Sequence, residues 1–338
     1  MNINNLFELT NKLLTVKNTF ICIYEFGFFI SIFSMNIDNF ICNYYSDEWL
    51  YLINYNYPHN SYYQFYVDNY NCNVSNINNF KDIIYFDKDV ISLMNTFSRG
   101  SIHGYSSFYY TLITYLNNFD NYKDKDIILY KDTQLGMLSV INYLCNIGII
   151  TANIIYLEKN TKYKFKSVTY IPNHFHVFQP ELENMVDCFI KKYNIINNKN
   201  KNKNENEKIC IIKSSISEFI TNDGVFDNNI VEQFCNKYNI VRIFPNDEIE
   251  LINLIHNCKI LIINYGSTFF KNYVYISDLC EKIIVIVYGN TYINDYNYLN
   301  SIHTNNFQGN IYKKYKNATI TYLTVDNNLN INPEILFI

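Results

Sequence analysis

Residues Ile260 to Ile263 form an apolar run that breaks at Asn264-Tyr265-Gly266, and Ser267-Thr268 then open an apolar pattern at helical spacing. A buried strand, a glycine turn, two hydroxyl residues and a helix, in that order, make an anion-binding geometry. Gly266 lets the backbone approach a ligand closely, and the first N–H groups of the helix point at whatever lies in front of them. A phosphate is the usual occupant. The same pattern also serves as an ordinary strand-to-helix turn, because hydroxyls at a helix start are caps in their own right.

Three further groupings have residue types suited to chemistry. His174 and His176 form a His-x-His pair, but no third metal ligand accompanies them. Asp124-Lys125-Asp126 spells a carboxylate metal motif, yet it falls between a helix and a strand, where such a triplet is normally a solvated turn. The nine cysteines, at 22, 42, 72, 145, 188, 210, 235, 258 and 280, have no Cys-x-x-Cys spacing and several sit in apolar periodic stretches. They read as reduced core thiols, which argues against a disulfide framework or a zinc module and for a reducing compartment.

The elements that must position these residues alternate along most of the chain. Up to about residue 88, short aromatic and β-branched runs separated by Asn, Asp and Pro read as strands with turns. Ser106 can cap a helix carrying Phe108, Leu112, Tyr115 and Phe119; a strand at Ile127, a helix from Thr133 to Asn146 ended by Gly148, and strands at Ile154 and Val168 follow. Pro172 and Pro180 bracket a crossing, a helix runs from about Glu181 to Tyr193, and residues 197–207 are a polar low-complexity insertion with nothing to bury. Beyond it come strand Ile209, helix 229–238, strand Val241, helix 248–257, strand Ile260, helix 267–276 and strand Ile283. Such alternation specifies a parallel sheet whose ligands sit at the carboxyl ends of its strands. Those ends carry Lys213-Ser214-Ser215, Phe244-Pro245-Asn246, Tyr265 to Thr268 and Tyr288-Gly289-Asn290.

Length and composition agree with two domains, since 338 residues exceed one ordinary core. The expected boundaries are 1–175 and 176–338. The 33 tyrosines and abundant Asn and Ile reflect an AT-rich codon bias, which blunts compositional arguments. A net charge of -4 leaves no basic field for a nucleic-acid backbone. The apolar stretch from Phe20 to Ser34 is interrupted by Glu25 and falls short of the ~18 to 20 residues needed to cross a bilayer, so it reads as paired strands. Residues 1–15 lack the pattern of a secretory signal, and the expected compartment is the cytoplasm.

The C-terminal half resembles glycosyltransferase family 61 in the order and spacing of short motifs. These are Ile211-Ile212-Lys213-Ser214-Ser215, the turn and helix from Val241 through Pro245 to Ile255, and Ile262 to Asn272 with Gly266, Ser267 and Asn272 on the motif. In the N-terminal half, Ser101 to Leu116, with His103 ahead of an apolar helix, is similar to the family's histidine segment. The resemblance covers roughly residues 83 to 300. It implies an α/β, GT-B-like fold of two Rossmann-like domains facing a cleft, here with extra short strands at the N-terminus. It also implies an inverting, metal-independent transfer of a sugar from a nucleoside diphosphate, most often uridine diphosphate, to a hydroxyl of a glycan or glycoprotein, with no other cofactor.

On that resemblance Lys213, Gly266, Ser267 and Thr268 would meet the diphosphate, and Pro245, Glu250 and Asn272 would hold the nucleotide. His103 would accept the acceptor's proton. Each residue also has a plain structural reading: a solvated lysine at a strand end, an Asp247-x-x-Glu250 capping box, a histidine that caps or packs. The chain departs from the family's pattern at two points. Lys213 stands where arginine is common, and Ser106 and Ser107 stand where a carboxylate often follows the histidine. A non-catalytic glycan- or nucleotide-binding relative of the same fold is therefore the alternative, and another GT-B-like enzyme, such as a pyruvyltransferase or an epimerase, is a second.

Overall fold

The computed structural model describes residues 14–26, 29–36, 41–43, 83–94, 102–159, 161–171, 180–196, 208–212, 226–243, 248–264, 267–288, 318–325, 329, 331 and 333–336. The chain forms two compact units, Met1–Leu182 and Glu183–Ile338. Each is an α/β unit built on its own sheet, a two-domain Rossmann-like architecture in general form.

The first unit contains β1 (Leu14–Phe26), β2 (Phe29–Asn36), β3 (Ile41–Asn43), β4 (Ile83–Ser92), α1 (Ile102–Asn117), α2 (Phe119–Tyr122), β5 (Asp126–Tyr130), α3 (Leu135–Asn146), β6 (Ile154–Leu157) and β7 (Lys162–Tyr170). Among the described residues these strands make one seven-stranded sheet in the order β3-β2-β1-β7-β4-β5-β6. β7, β4, β5 and β6 are mutually parallel, whereas β1 runs antiparallel to β7 and β2. The Phe20 to Ser34 stretch is indeed a pair of strands, with Phe26 opposite Phe29 across the turn. At 13 residues β1 is far longer than the short strand expected there. Trp49, Tyr62 and the runs around them lie outside the described residues.

One connection departs from a regular doubly wound sheet. Parallel strands of one sheet normally need a crossover of a dozen or more residues, yet only 158–161 join β6 to β7, three places apart in the strand order. Register places Leu157 beside Tyr130, at the Ser92 end of β4, while Lys162 pairs with Ile83 at the other end. In a flat sheet those levels would be about 30 Å apart at ~3.3 Å per residue, beyond the reach of four residues. The ribbon bends instead. A register shift between Phe86 and Asp89 interrupts the β4–β7 ladder, and a bulge at such a point bends strands and increases their twist. The bend returns Tyr163 to the end of β6, where its hydroxyl accepts from the Glu158 N–H at 2.9 Å. Phe86, Tyr163 and Phe165 then share a core with Tyr130, Ile155, Leu157, Ile21 and Ile23. On the opposite face Ile91, Ile127 and Leu129 are buried, and right-handed crossovers put α1 and α3 there.

α1 begins at Ile102, a full turn before the Ser106 start expected from the hydrophobic spacing. α3 ends as its glycine indicates: Gly148 has φ +74°, and its N–H donates to the Cys145 carbonyl at 3.0 Å.

α4 (Pro180–Lys192) leads into the second unit, which contains β8 (Lys208–Ile211), α5 (Asn228–Lys237), β9 (Val241–Arg242), α6 (Glu248–Asn257), β10 (Ile260–Asn264), α7 (Ser267–Asn272), β11 (Lys282–Tyr288) and β12 (Thr319–Val325). Its five strands are all parallel, in the order β12-β11-β10-β8-β9. Numbered within the unit this is 2-1-3-4-5, with β8 as strand 1 and β10 as strand 3. β12, an edge strand, was not among the expected elements. Both faces are covered, as an all-parallel sheet requires. α5 packs Val231, Phe234 and Cys235 against Cys210, Ile260, Ile262, Ile284 and Ile286. Right-handed crossovers carry α6 and α7 over the other face, which presents buried Ile209, Leu261, Ile263, Ile283 and Val285.

Candidate functional site

The order 2-1-3-4-5 reverses direction once, between β8 and β10. Successive crossovers leave that point toward opposite faces, so a crevice opens outside the carboxyl ends of these two strands, the general ligand position in open α/β sheets. β8 ends in buried Ile211, with buried Ile212 next, and β10 ends in buried Asn264. Lys213 follows Ile212 in the chain, and Tyr265-Gly266 follow β10. Lys213, Gly266 and Pro245 lie outside the described residues. Ser267 and Thr268 are the first two residues of α7, and Asn272, the last, is buried. α7 spans six residues and passes into a 3-10 turn at Tyr273–Tyr275, shorter than the helix to Ile276 expected from the apolar pattern. A shorter helix aligns fewer peptide dipoles, so less partial charge gathers at its start.

Glu250 is exposed on α6. The acidic residue that turns inward is Glu248, the first residue of the same helix, with none of its surface exposed. One carboxylate oxygen accepts from Lys271 Nζ at 2.7 Å and the other from the Tyr275 hydroxyl at 2.7 Å. The Lys271 side chain is only 14% exposed. α6 enters from the carboxyl edge, because it follows β9 and returns to begin β10. The ion pair therefore lies at the edge where the crevice opens. Farther along α6, buried His256 places Nδ1 3.3 Å from the Tyr275 carbonyl, and its own carbonyl accepts from Ser277 Oγ. Glu248 and His256 thus clasp the 273–275 turn from two sides. Sequence reasoning passed over Glu248 because an acidic residue opening a helix is an ordinary complement to the helix dipole.

In the first unit, His103 is the second residue of α1, which follows β4 at the carboxyl edge. On the same helix Ser107 is 1% exposed, and among the described residues its hydroxyl has no hydrogen-bond partner. His174 and His176 lie outside the described residues. The Asp124-Lys125-Asp126 triplet is split among structural contacts: Lys125 Nζ donates to Thr169 Oγ1 at 2.6 Å, and Asp126 accepts from Lys88 and from Asn153. Burial raises the Asp126 pKa, but the bonds from Lys88 and Asn153 outweigh it and the net direction is down. At the β4 bend, the Ser167 hydroxyl bond and the Lys166 ammonium hold the Asp89 carboxyl below its ordinary value. These groups lie toward the amino end of β5, away from the carboxyl edge.

Four cysteines of the second unit belong to its core, while Cys188 on α4 is exposed. Cys210, Cys235, Cys258 and Cys280 are free and buried, and burial pushes the Cys210 thiol well up from its usual range, which keeps it protonated and unreactive. Among the described residues no group of three or more His, Cys, Asp or Glu is placed to hold a metal. Among them, too, no helix is long and apolar enough to cross a membrane.

No protein-family model matches this chain, and no curated protein matches it. The architecture is of the kind found in nucleotide-binding enzymes generally.

Proposed function

We propose that the protein is a glycosyltransferase that takes its sugar from a nucleoside diphosphate bound at the carboxyl edge of the second unit. The observation that carries the reading is the strand order. The single switch point falls between β8 and β10, and the residues that follow those two strands are Lys213 and Tyr265-Gly266-Ser267. A cation and a glycine in the segments that follow these two strands suit a diphosphate. The resemblance of residues 83 to 300 to glycosyltransferase family 61 supports the same assignment.

In the inverting reaction the acceptor hydroxyl oxygen bonds to the anomeric carbon as the bond from that carbon to the diphosphate oxygen breaks. The electron pair leaves with the diphosphate. Lys213 and the backbone N–H groups at the Gly266 turn meet the charge that develops there. Because α7 is short, Lys213 and the turn carry more of this task than the helix dipole does. The acceptor's proton passes to a base, a role for which the resemblance alone nominates His103.

A second reading is a non-catalytic nucleotide- or glycan-binding protein of the same fold. Ser107 favours it, since a buried hydroxyl without a partner among the described residues stands where a carboxylate would follow the histidine. A thermal-shift panel of nucleotides and nucleotide sugars tests the site. At 100 times its dissociation constant a ligand stabilises by ~2.7 kcal/mol, so uridine diphosphate raises the melting temperature and Gly266→Val abolishes the rise while the variant stays folded. Release of diphosphate from a nucleotide sugar, against binding without turnover, then separates the two readings. No shift with any nucleotide defeats the nucleotide site in either reading.

A further inference from the structure

We propose that Glu248 is a positioning residue for the nucleotide site, holding α7 in place through Lys271 and Tyr275. The inference rests on the placement of the diphosphate at the β8/β10 crevice.

α7 cannot hold its own orientation. It has six residues and dissolves into a 3-10 turn, and a helix of that length is marginal without tertiary support. A binding constellation has to be held within about half an ångström, and loops and short elements do this only when neighbouring bonds lock them. The lock comes from α6. Both carboxylate oxygens of Glu248 are engaged, one by Lys271 inside α7 and one by Tyr275 in the turn beyond it, each at 2.7 Å. Two bonds from one buried group to successive segments fix both the position of α7 along its axis and its rotation about it. A single bond would leave the rotation free.

Stability is a poor explanation for such a pair. Taking a carboxylate and an ammonium out of water costs several kcal/mol per ion by general estimate, and apolar replacements of similar volume are often no less stable. An apolar contact would satisfy packing, but it is not directional. The charged tie is directional, and it lies behind the residues that follow the glycine turn. Glu248 touches no ligand in this account; it acts through the backbone of α7.

The test compares the wild type, Glu248→Gln, and the double variant Glu248→Gln with Lys271→Met, all well below their melting temperatures. Two quantities are read: amide hydrogen exchange over residues 267–275, and the affinity for uridine diphosphate by calorimetry. Glu248→Gln removes the carboxylate that faces the buried Lys271 ammonium, so it loses stability, exchange over 267–275 accelerates and affinity falls at least tenfold. The double variant removes the buried ammonium as well and recovers the melting temperature, but exchange stays fast and affinity stays low. If affinity returns together with the melting temperature, Glu248 serves stability only and the inference is overturned. Unchanged exchange in Glu248→Gln also overturns it. If the wild type binds no uridine diphosphate, the nucleotide reading fails instead, and the exchange comparison still decides whether Glu248 holds α7.

Discussion

Tyr115 gives a sharp test of how the first unit is packed. It lies on α1 with no exposed surface, and among the described residues its hydroxyl has no hydrogen-bond partner. The ring meets Phe119 edge-on, with centroids 5.8 Å apart. Phenylalanine keeps that contact and removes only the oxygen. A buried hydroxyl without a partner carries a desolvation cost of about 1–3 kcal/mol, so Tyr115→Phe stabilises the protein by about 1 kcal/mol once some relaxation is allowed for. The pH dependence follows from the same burial, which, with a smaller contribution from nearby Cys145, pushes the Tyr115 pKa up to about 12 from 10.0. The folded state therefore resists ionisation that the unfolded state accepts. This contribution is complete below pH 10 and is lost as pH rises through the folded value. Two pH units at ~1.4 kcal/mol each make the loss about 3 kcal/mol. Other tyrosines and the lysines titrate in that window too, so the informative quantity is the difference between wild type and Tyr115→Phe in urea unfolding from pH 8 to 12. The variant's advantage should widen as pH rises. A variant less stable than wild type at pH 8, or a difference that does not change with pH, refutes the argument.

Three other outcomes follow from the same structure. Gly148→Ala destabilises by about 1 kcal/mol through its positive φ alone, since a Cβ there meets nothing within 4 Å; Gly148→Asn costs less, and equal losses in unfolding would point to crowding. Asp89 and Asp126 both have lowered pKa values, so their contribution is present above the unfolded value near 4 and fades as pH falls through the folded values. Their Asn variants should accordingly lose under about 1 kcal/mol at pH 7 and converge on wild type in acid, and a gap that persists there would contradict the ion pairs. Cys188 is exposed whereas Cys210, Cys235, Cys258 and Cys280 are buried; maleimide treatment of native protein followed by peptide mass spectrometry should label Cys188 and spare those four until denaturant is added.

The second unit was legible where a local pattern carries the information. The run of aliphatic residues at Ile260 and the helix at 248–257 are each written within about ten residues, and the structure has both at nearly the expected bounds. β7 was read from Val168, but it begins at Lys162, because its first half alternates lysine with Tyr163 and Phe165. The lysines masked a period of two that buries one face. The capping potential of Ser106 marks a start one turn inside α1, because a hydroxyl at that point looks the same in sequence as one at the cap.

What depends on distant partners was not legible. Glu248 meets Lys271 and Tyr275, 23 and 27 residues away, and no spacing rule connects them. The bend of the first sheet was equally hidden. It follows from the four-residue link between β6 and β7 and from the register shift in β4, and both require the pairing to be known. The candidate site divides in the same way: its position comes from strand order, while the residue types that fill it come from sequence.

The central claim is that a nucleoside diphosphate binds outside the carboxyl ends of β8 and β10. Photolabelling with an azido-substituted uridine diphosphate, followed by peptide mapping, tests it most directly. Label should fall on peptides containing Lys213 and residues 264–272, and excess unmodified uridine diphosphate should displace it. Label confined to the first unit, or label that uridine diphosphate does not displace, would contradict the account.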